Sequence, residues 1–277
     1  MERYDWKDLQ PTQTTWNWTQ MDSDILKYKQ KGKKVSVLVS LVSDNVGPTT
    51  PNTATPQWAL SKVTIITCSF APLGVPAMYE QKTMNLTQPF ILKLLQHLDG
   101  NSSVAYVRVG LFLGGENCPI CMGSFPNGET TALQYLKAMA DWLNMNHPNG
   151  TGKTLLVENC SGCKDKTYSD QSAKIFAEDN IGIGMEAVSE QDYLNYIAGQ
   201  DCLADWCGIF NTYPSAVKYL QPFDPQPVDG LLTYYPFATE MGTNWMELAT
   251  TDLSVAYYPQ DPNYNRYGLP YRNALMY

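Results

Sequence analysis

The sequence predicts an α/β protein of the (β/α)8 TIM-barrel class, a single domain spanning residues 1–277. Three observations predict it. Eight strand-like apolar runs alternate with helical stretches at spacings of about 30–35 residues, the rhythm of a barrel. The strongest run, Val104–Leu113, ends on Gly114-Gly115 and at once presents an acid, Glu116. No Pro/Gly-rich linker divides the chain, because the proline-rich 222–227 stretch is short enough to be a loop. A seven-strand open sheet is the alternative, since strands one and seven carry the weakest patterns.

In chain order, Arg3–Pro11 reads as strand one with its turn. Asp22–Lys31 is a helix, with apolar residues at 25, 26 and 28 and a stop at Gly32. Lys33–Val42 (KKVSVLVSLV) is strand two, followed by a loop rich in Thr, Pro and Asn that ends at Thr55-Pro56-Gln57-Trp58. Val63–Cys68 is strand three, and Gln88–Leu98, apolar at 90, 91, 94, 95 and 98, is its helix. Strand four is Val104–Leu113, with alternating β-branched and aromatic residues. Glu129–Asn146 is the clearest amphipathic helix. Lys153–Asn159 and Ile181–Glu186 are strands five and six, followed by helices at Ser169–Glu178 and Glu190–Ile197. Ala216–Gln221, the helix Asp229–Gly242 and the strand Trp245–Thr250 complete the series.

Composition excludes several classes of function. The net charge is −8, with no basic cluster beyond Lys27–Lys34, so nucleic acid is not an expected partner. No apolar run reaches the roughly 20 residues of a membrane helix. With two histidines, His97 and His147, the chain has almost no material for triads or His-metal sites. Acid–base work therefore falls to carboxylates, with no metal and no cofactor expected. Gly150-Thr-Gly-Lys-Thr154 is not a phosphate loop, because the first glycine of that motif would fall at His147 and the segment precedes a strand.

Seven cysteines occur as Cys118-x2-Cys121, Cys160-x2-Cys163, Cys202-x4-Cys207 and a lone Cys68. Five Asn-x-Ser/Thr sequons start at Asn17, Asn85, Asn101, Asn149 and Asn159. Paired cysteines with sequons point to a secreted, disulfide-bonded glycoprotein, with Cys68 left unpaired. The alternative use of the four CxxC cysteines is a closed structural zinc site. There is no N-terminal apolar segment, so a secretory leader is expected to be already removed or never present.

Several segments together carry a family likeness: RYDWKDLQP, WNWTQMD and KGKKVSVLVS at the start, Thr-Pro-x-Trp after strand two, and VRVGLFLGGEN at strand four. The chain resembles the catalytic barrels of β-galactosidase-like, clan A glycoside hydrolases. The matching positions are Trp6, Leu9, Pro11, Trp18, Asp22, Ile25, Gly32 and Lys33. The resemblance implies a β-linked carbohydrate as partner and a general acid/base at the end of strand four, here Glu116. It also implies a second carboxylate near strand seven, where this chain has Gln221. Among the rim acids Glu186 ranks first as that partner, then Glu247 and Asp224, with Glu158 also at a strand end. Such a pair would work as acid and nucleophile or base across the scissile bond. Asn117, Trp58, Tyr79, Trp206, Tyr213, Gln221 and Trp245 are the candidate substrate-binding residues, aromatics of the kind that sugars stack on. The rival reading is a pseudoenzyme, a surface glycoprotein that binds glycan or self-associates.

Overall fold

The computed structural model describes residues 1–146, 154–159, 166–188, 212–222 and 241–246, with a few positions between and beyond them. The chain divides into two units, Met1–Glu158 with Ile175–Gly182, and Asn159–Lys174 with Ile183–Tyr277.

The first unit opens with β1 (Glu2–Asp5), α1 (Trp6–Leu9), α2 (Thr19–Gln30) and β2 (Val35–Val42). It continues with α3 (Gln57–Leu60), β3 (Ile65–Ile66), β4 (Val75–Pro76), α4 (Gln81–Leu98) and β5 (Val104–Leu113). After a 3-10 turn at Met122–Ser124 come α5 (Glu129–Asn146) and β6 (Thr154–Asn159). Strands β1, β2, β5 and β6 are hydrogen-bonded in that order, all parallel. Parallel neighbours require crossovers, and each crossover here carries a helix that covers the sheet.

Register sorts the two faces of this sheet. Tyr4, Val39 and Val109 share one row, and Val37 and Val107 share another on the same side. That side is covered by helices: the Tyr4 hydroxyl donates to Asp24 of α2 at 3.2 Å, and the Tyr135 hydroxyl of α5 donates to the Leu111 carbonyl at 3.0 Å. Tyr135, Leu136, Met139, Ala140 and Leu143 form the buried stripe of α5. The opposite side carries Arg3, Leu38 and Arg108 in one row, and Asp5, Ser40 and Gly110 in the next. Both faces of β2 are buried, which is why its sequence reads as an almost unbroken apolar run.

In the second unit β7 (Gly182–Val188), β8 (Lys218–Pro222) and β9 (Trp245–Met246) are parallel and ordered β7-β8-β9. Helix α6 (Lys166–Glu178) contributes residues to both units. Lys218 is buried at the start of β8. Its Nζ donates to the carbonyls of Met241 at 3.1 Å and Pro214 at 3.4 Å. The ammonium also lies 5.7 Å from the Phe210 ring centre.

The eight-fold barrel is corrected by this architecture. Among the described residues β1 pairs only with β2 and β9 only with β8, so no ring of strands closes. The expected third strand is not in the parallel sheet: only Ile65–Ile66 is extended there, antiparallel to Val75–Pro76 in a two-residue ladder. Ile65 is exposed, so this segment lacks the double-sided burial that a central parallel strand needs. Strand one is also shorter than Arg3–Pro11. The chain turns helical at Trp6, whose buried indole packs against Trp58 at 5.7 Å and Phe90 at 5.3 Å.

Cys68 is paired, not free. It is disulfide-bonded to Cys121, with Cα atoms 5.4 Å apart, and this ties the segment after β3 to the loop after β5. Cys118 is in a disulfide as well. With both members of the first CxxC oxidised, a four-cysteine zinc site is excluded.

Candidate functional site

The carboxyl edge of a parallel sheet is where open strand ends and loops meet ligands. In the first unit that edge is built by the ends of β1, β2 and β5. Arg3 of β1 reaches across to β2, where Nε and Nη2 donate to the Ser40 hydroxyl at 3.1 and 2.9 Å. Its Nη1 pairs with the Asp44 carboxylate, just beyond β2. Asp5 ends β1, and burial pushes its carboxyl above the usual aspartate range; the neighbouring Asp8 adds to that, while Lys7 and Arg3 oppose it.

The loop after β2 is folded back by its own polar side chains. The Ser43 hydroxyl accepts from the backbone N–H groups of Thr53 at 2.8 Å and Ala54 at 2.9 Å. Asn52 accepts from the Ser43 N–H at 3.1 Å, and the Thr55 hydroxyl donates to the Leu41 carbonyl at 2.6 Å. Side-chain bonds of this kind satisfy loop backbone that lacks a ladder partner.

Glu116 stands three residues beyond the end of β5, half-buried. The turn that presents it is tight: the Glu116 N–H donates to the Leu113 carbonyl at 2.9 Å, and the Phe112 N–H donates to the Glu116 carbonyl at 3.2 Å. The turn curls back over its own strand. A Cβ on Gly110 would sit 1.8 Å from the Gly114 carbonyl oxygen, so only glycine fits there. Gly114 has φ of +60° and lies against Asp44 and the Arg3 guanidinium. Beneath the turn is Arg108, 4% exposed, whose Nε donates to the Gly115 carbonyl at 3.0 Å.

The structure therefore sets the Gly114-Gly115 turn that leads into Glu116 against Asp44, Arg3 and Arg108, with Asp5, Ser40 and Gly110 sharing one row of the sheet. Sequence reasoning singled out only Glu116 of these. A signal for Arg108 was present, as the one charge inside VAYVRVGLFL. Asp5 and Asp44 became visible only through the parallel register.

The other expected residues have different places. Asn117 follows Glu116 but is 1% exposed. Trp58 belongs to α3, half-buried, with its indole N–H donating to the Gln10 carbonyl at 3.0 Å and its ring against Trp6. Tyr79 is half-buried against Phe125, with ring centres 4.6 Å apart. Both rings are engaged in packing. Glu158 is on β6, Glu186 on β7 and Gln221 on β8, their side chains outside the described set. Tyr213 and Trp245 are half-buried in the second unit. Trp206, Asp224 and Glu247 lie outside the described residues.

Among the described residues no group of three or more His, Cys, Asp or Glu side chains is arranged to hold a metal ion, and no helix is long and apolar enough to cross a membrane. No family model matches the chain, and no curated protein matches it in sequence.

Proposed function

We propose that the protein hydrolyses a β-linked glycosidic bond, with Glu116 as the proton donor. The observation that carries this reading is the position of Glu116, half-buried on a locked turn at the carboxyl edge of a parallel sheet, the turn itself lying against Asp44, Arg3 and Arg108. Arg3 and Asp44, an exposed ion pair, and the half-buried Asp5 are polar groups that suit sugar hydroxyls as donors and acceptors at this sheet edge. Glu186, ranked first by the sequence as a second carboxylate, stands on β7 in the second unit and is not assigned to this corner. The setting is extracellular, which the Cys68–Cys121 disulfide supports.

The test is chromophore release from a panel of aryl β-glycosides. Glu116→Gln is expected to lower kcat/KM by about 10²–10⁴-fold, the usual worth of a positioned acid. Equal rates for wild type and Glu116→Gln remove Glu116 from the mechanism. Asp5→Asn is expected to act mainly on KM.

One observation favours a second reading, a glycan-binding surface protein without turnover. The Gly114-Gly115 turn lies directly on Gly110 and covers Arg108, so the chain itself fills this part of the sheet face. On that reading the panel releases nothing, and retention on a glycan column is the same for wild type and Glu116→Gln.

A further inference from the structure

We infer that Asn17 carries an N-linked glycan. The inference is independent of hydrolysis. Asn17-Trp18-Thr19 is one of five sequons, and three have described acceptor side chains. Asn85 is exposed, but its sequon lies inside α4 with Thr87 fully buried. Asn101 is half-buried, and Ser103 of its sequon is buried. At the first sequon alone of these three, both the acceptor amide and the hydroxyl residue are exposed. The transferase must read both groups, so this site stays accessible after folding as well as before it.

The local geometry suits attachment. The Asn17 N–H donates to the Leu9 carbonyl at 2.9 Å, which anchors the residue's backbone. Its side-chain oxygen accepts from the Thr19 N–H at 3.3 Å, so the amide Nδ2 is the end turned away from that bond. The flanking indoles are stacked on each other at 5.4 Å and 20°. They form the middle of a four-ring series, with Phe90 beside Trp16 at 6.1 Å and His97 beside Trp18 at 4.5 Å. The indoles are thus held by their neighbours on either side, and Asn17 is presented between two fixed residues.

The chemistry is a simple displacement. The Asn17 Nδ2 attacks the anomeric carbon of a polyprenyl-pyrophosphate-linked oligosaccharide. The N–C bond forms as the anomeric C–O bond breaks. The lipid pyrophosphate leaves with the electron pair, and the amide proton passes to a base of the transferase. No oxidation or reduction takes place.

The test is expression of the full chain behind a cleavable secretory leader in eukaryotic cells, with peptide N-glycosidase treatment in heavy-oxygen water. Conversion of Asn17 to labelled Asp in the secreted protein is the expected result. An unlabelled Asn17 in folded protein with Cys68–Cys121 intact overturns the site. Thr19→Ser should keep the label and Thr19→Ala should lose it.

Discussion

At the scale of single residues, two carboxyls in the first unit respond to pH in opposite directions. The Asp24 carboxyl is held below the usual range, first by the hydrogen bond from Lys27 and next by that from Gln20. Its contribution to stability is present above the ordinary aspartate value and is lost as pH falls through the lowered one. Asp5 has the reverse sign: burial raises it, so its favourable term is present in acid and is lost as pH rises through its raised value. Asp24→Asn is therefore expected to flatten the acid limb of a stability–pH curve from urea melts. Asp5→Asn is expected to increase stability near neutral pH by removing a charge from a partly buried site. Gly110→Ala forces a methyl group into the Gly114 carbonyl and should cost about 1–3 kcal/mol or more, read by the same melts.

At the scale of elements, α1 and the Cys68–Cys121 bridge each fix a connection that strand pairing leaves open. Trp6 is 1% exposed between Trp58 and Phe90, so Trp6→Ala should cost about 3–5 kcal/mol in a denaturant titration. Removing the bridge with the Cys68→Ser and Cys121→Ser double variant should cost about 2–5 kcal/mol and lower Tm.

These two features also mark the limit of what was legible from residue order. The long elements were readable because their periodicity comes from burial: β2 within two residues, β5 at both ends, and α5 at both ends. Helix α4 begins at Gln81, seven residues before its predicted start, because Thr83, Met84 and Thr87 lie on its buried face together with the aliphatic residues. The β3 segment misled because Val63–Cys68 has strand composition, yet composition does not say whether a run gains a parallel neighbour or a two-residue antiparallel one. Cys68 looked solitary because its partner is 53 residues away. Glu116 was legible as a strand-end acid, whereas Arg3 and Asp44, which lie against the turn before it, come from distant parts of the chain and needed the folded sheet to be seen together.

At the scale of the whole molecule, the net charge of −8 restricts partners more than any single group does. Long-range repulsion disfavours sulfated and other polyanionic glycans, so a neutral glycan is the expected carbohydrate. Retention on an immobilised neutral-glycan series, with no retention on heparin at low salt, is the outcome that agrees with this. Strong heparin binding would contradict it.

Lys218 carries a practical consequence. Its amine is enclosed by Met241, Pro214 and Phe210, and burial lowers its proton affinity. An acylating reagent should therefore modify the many surface lysines quickly and reach this one only when the second unit opens. The rate of label uptake at Lys218, followed by peptide mapping, becomes a clock for the opening of that unit in the intact protein.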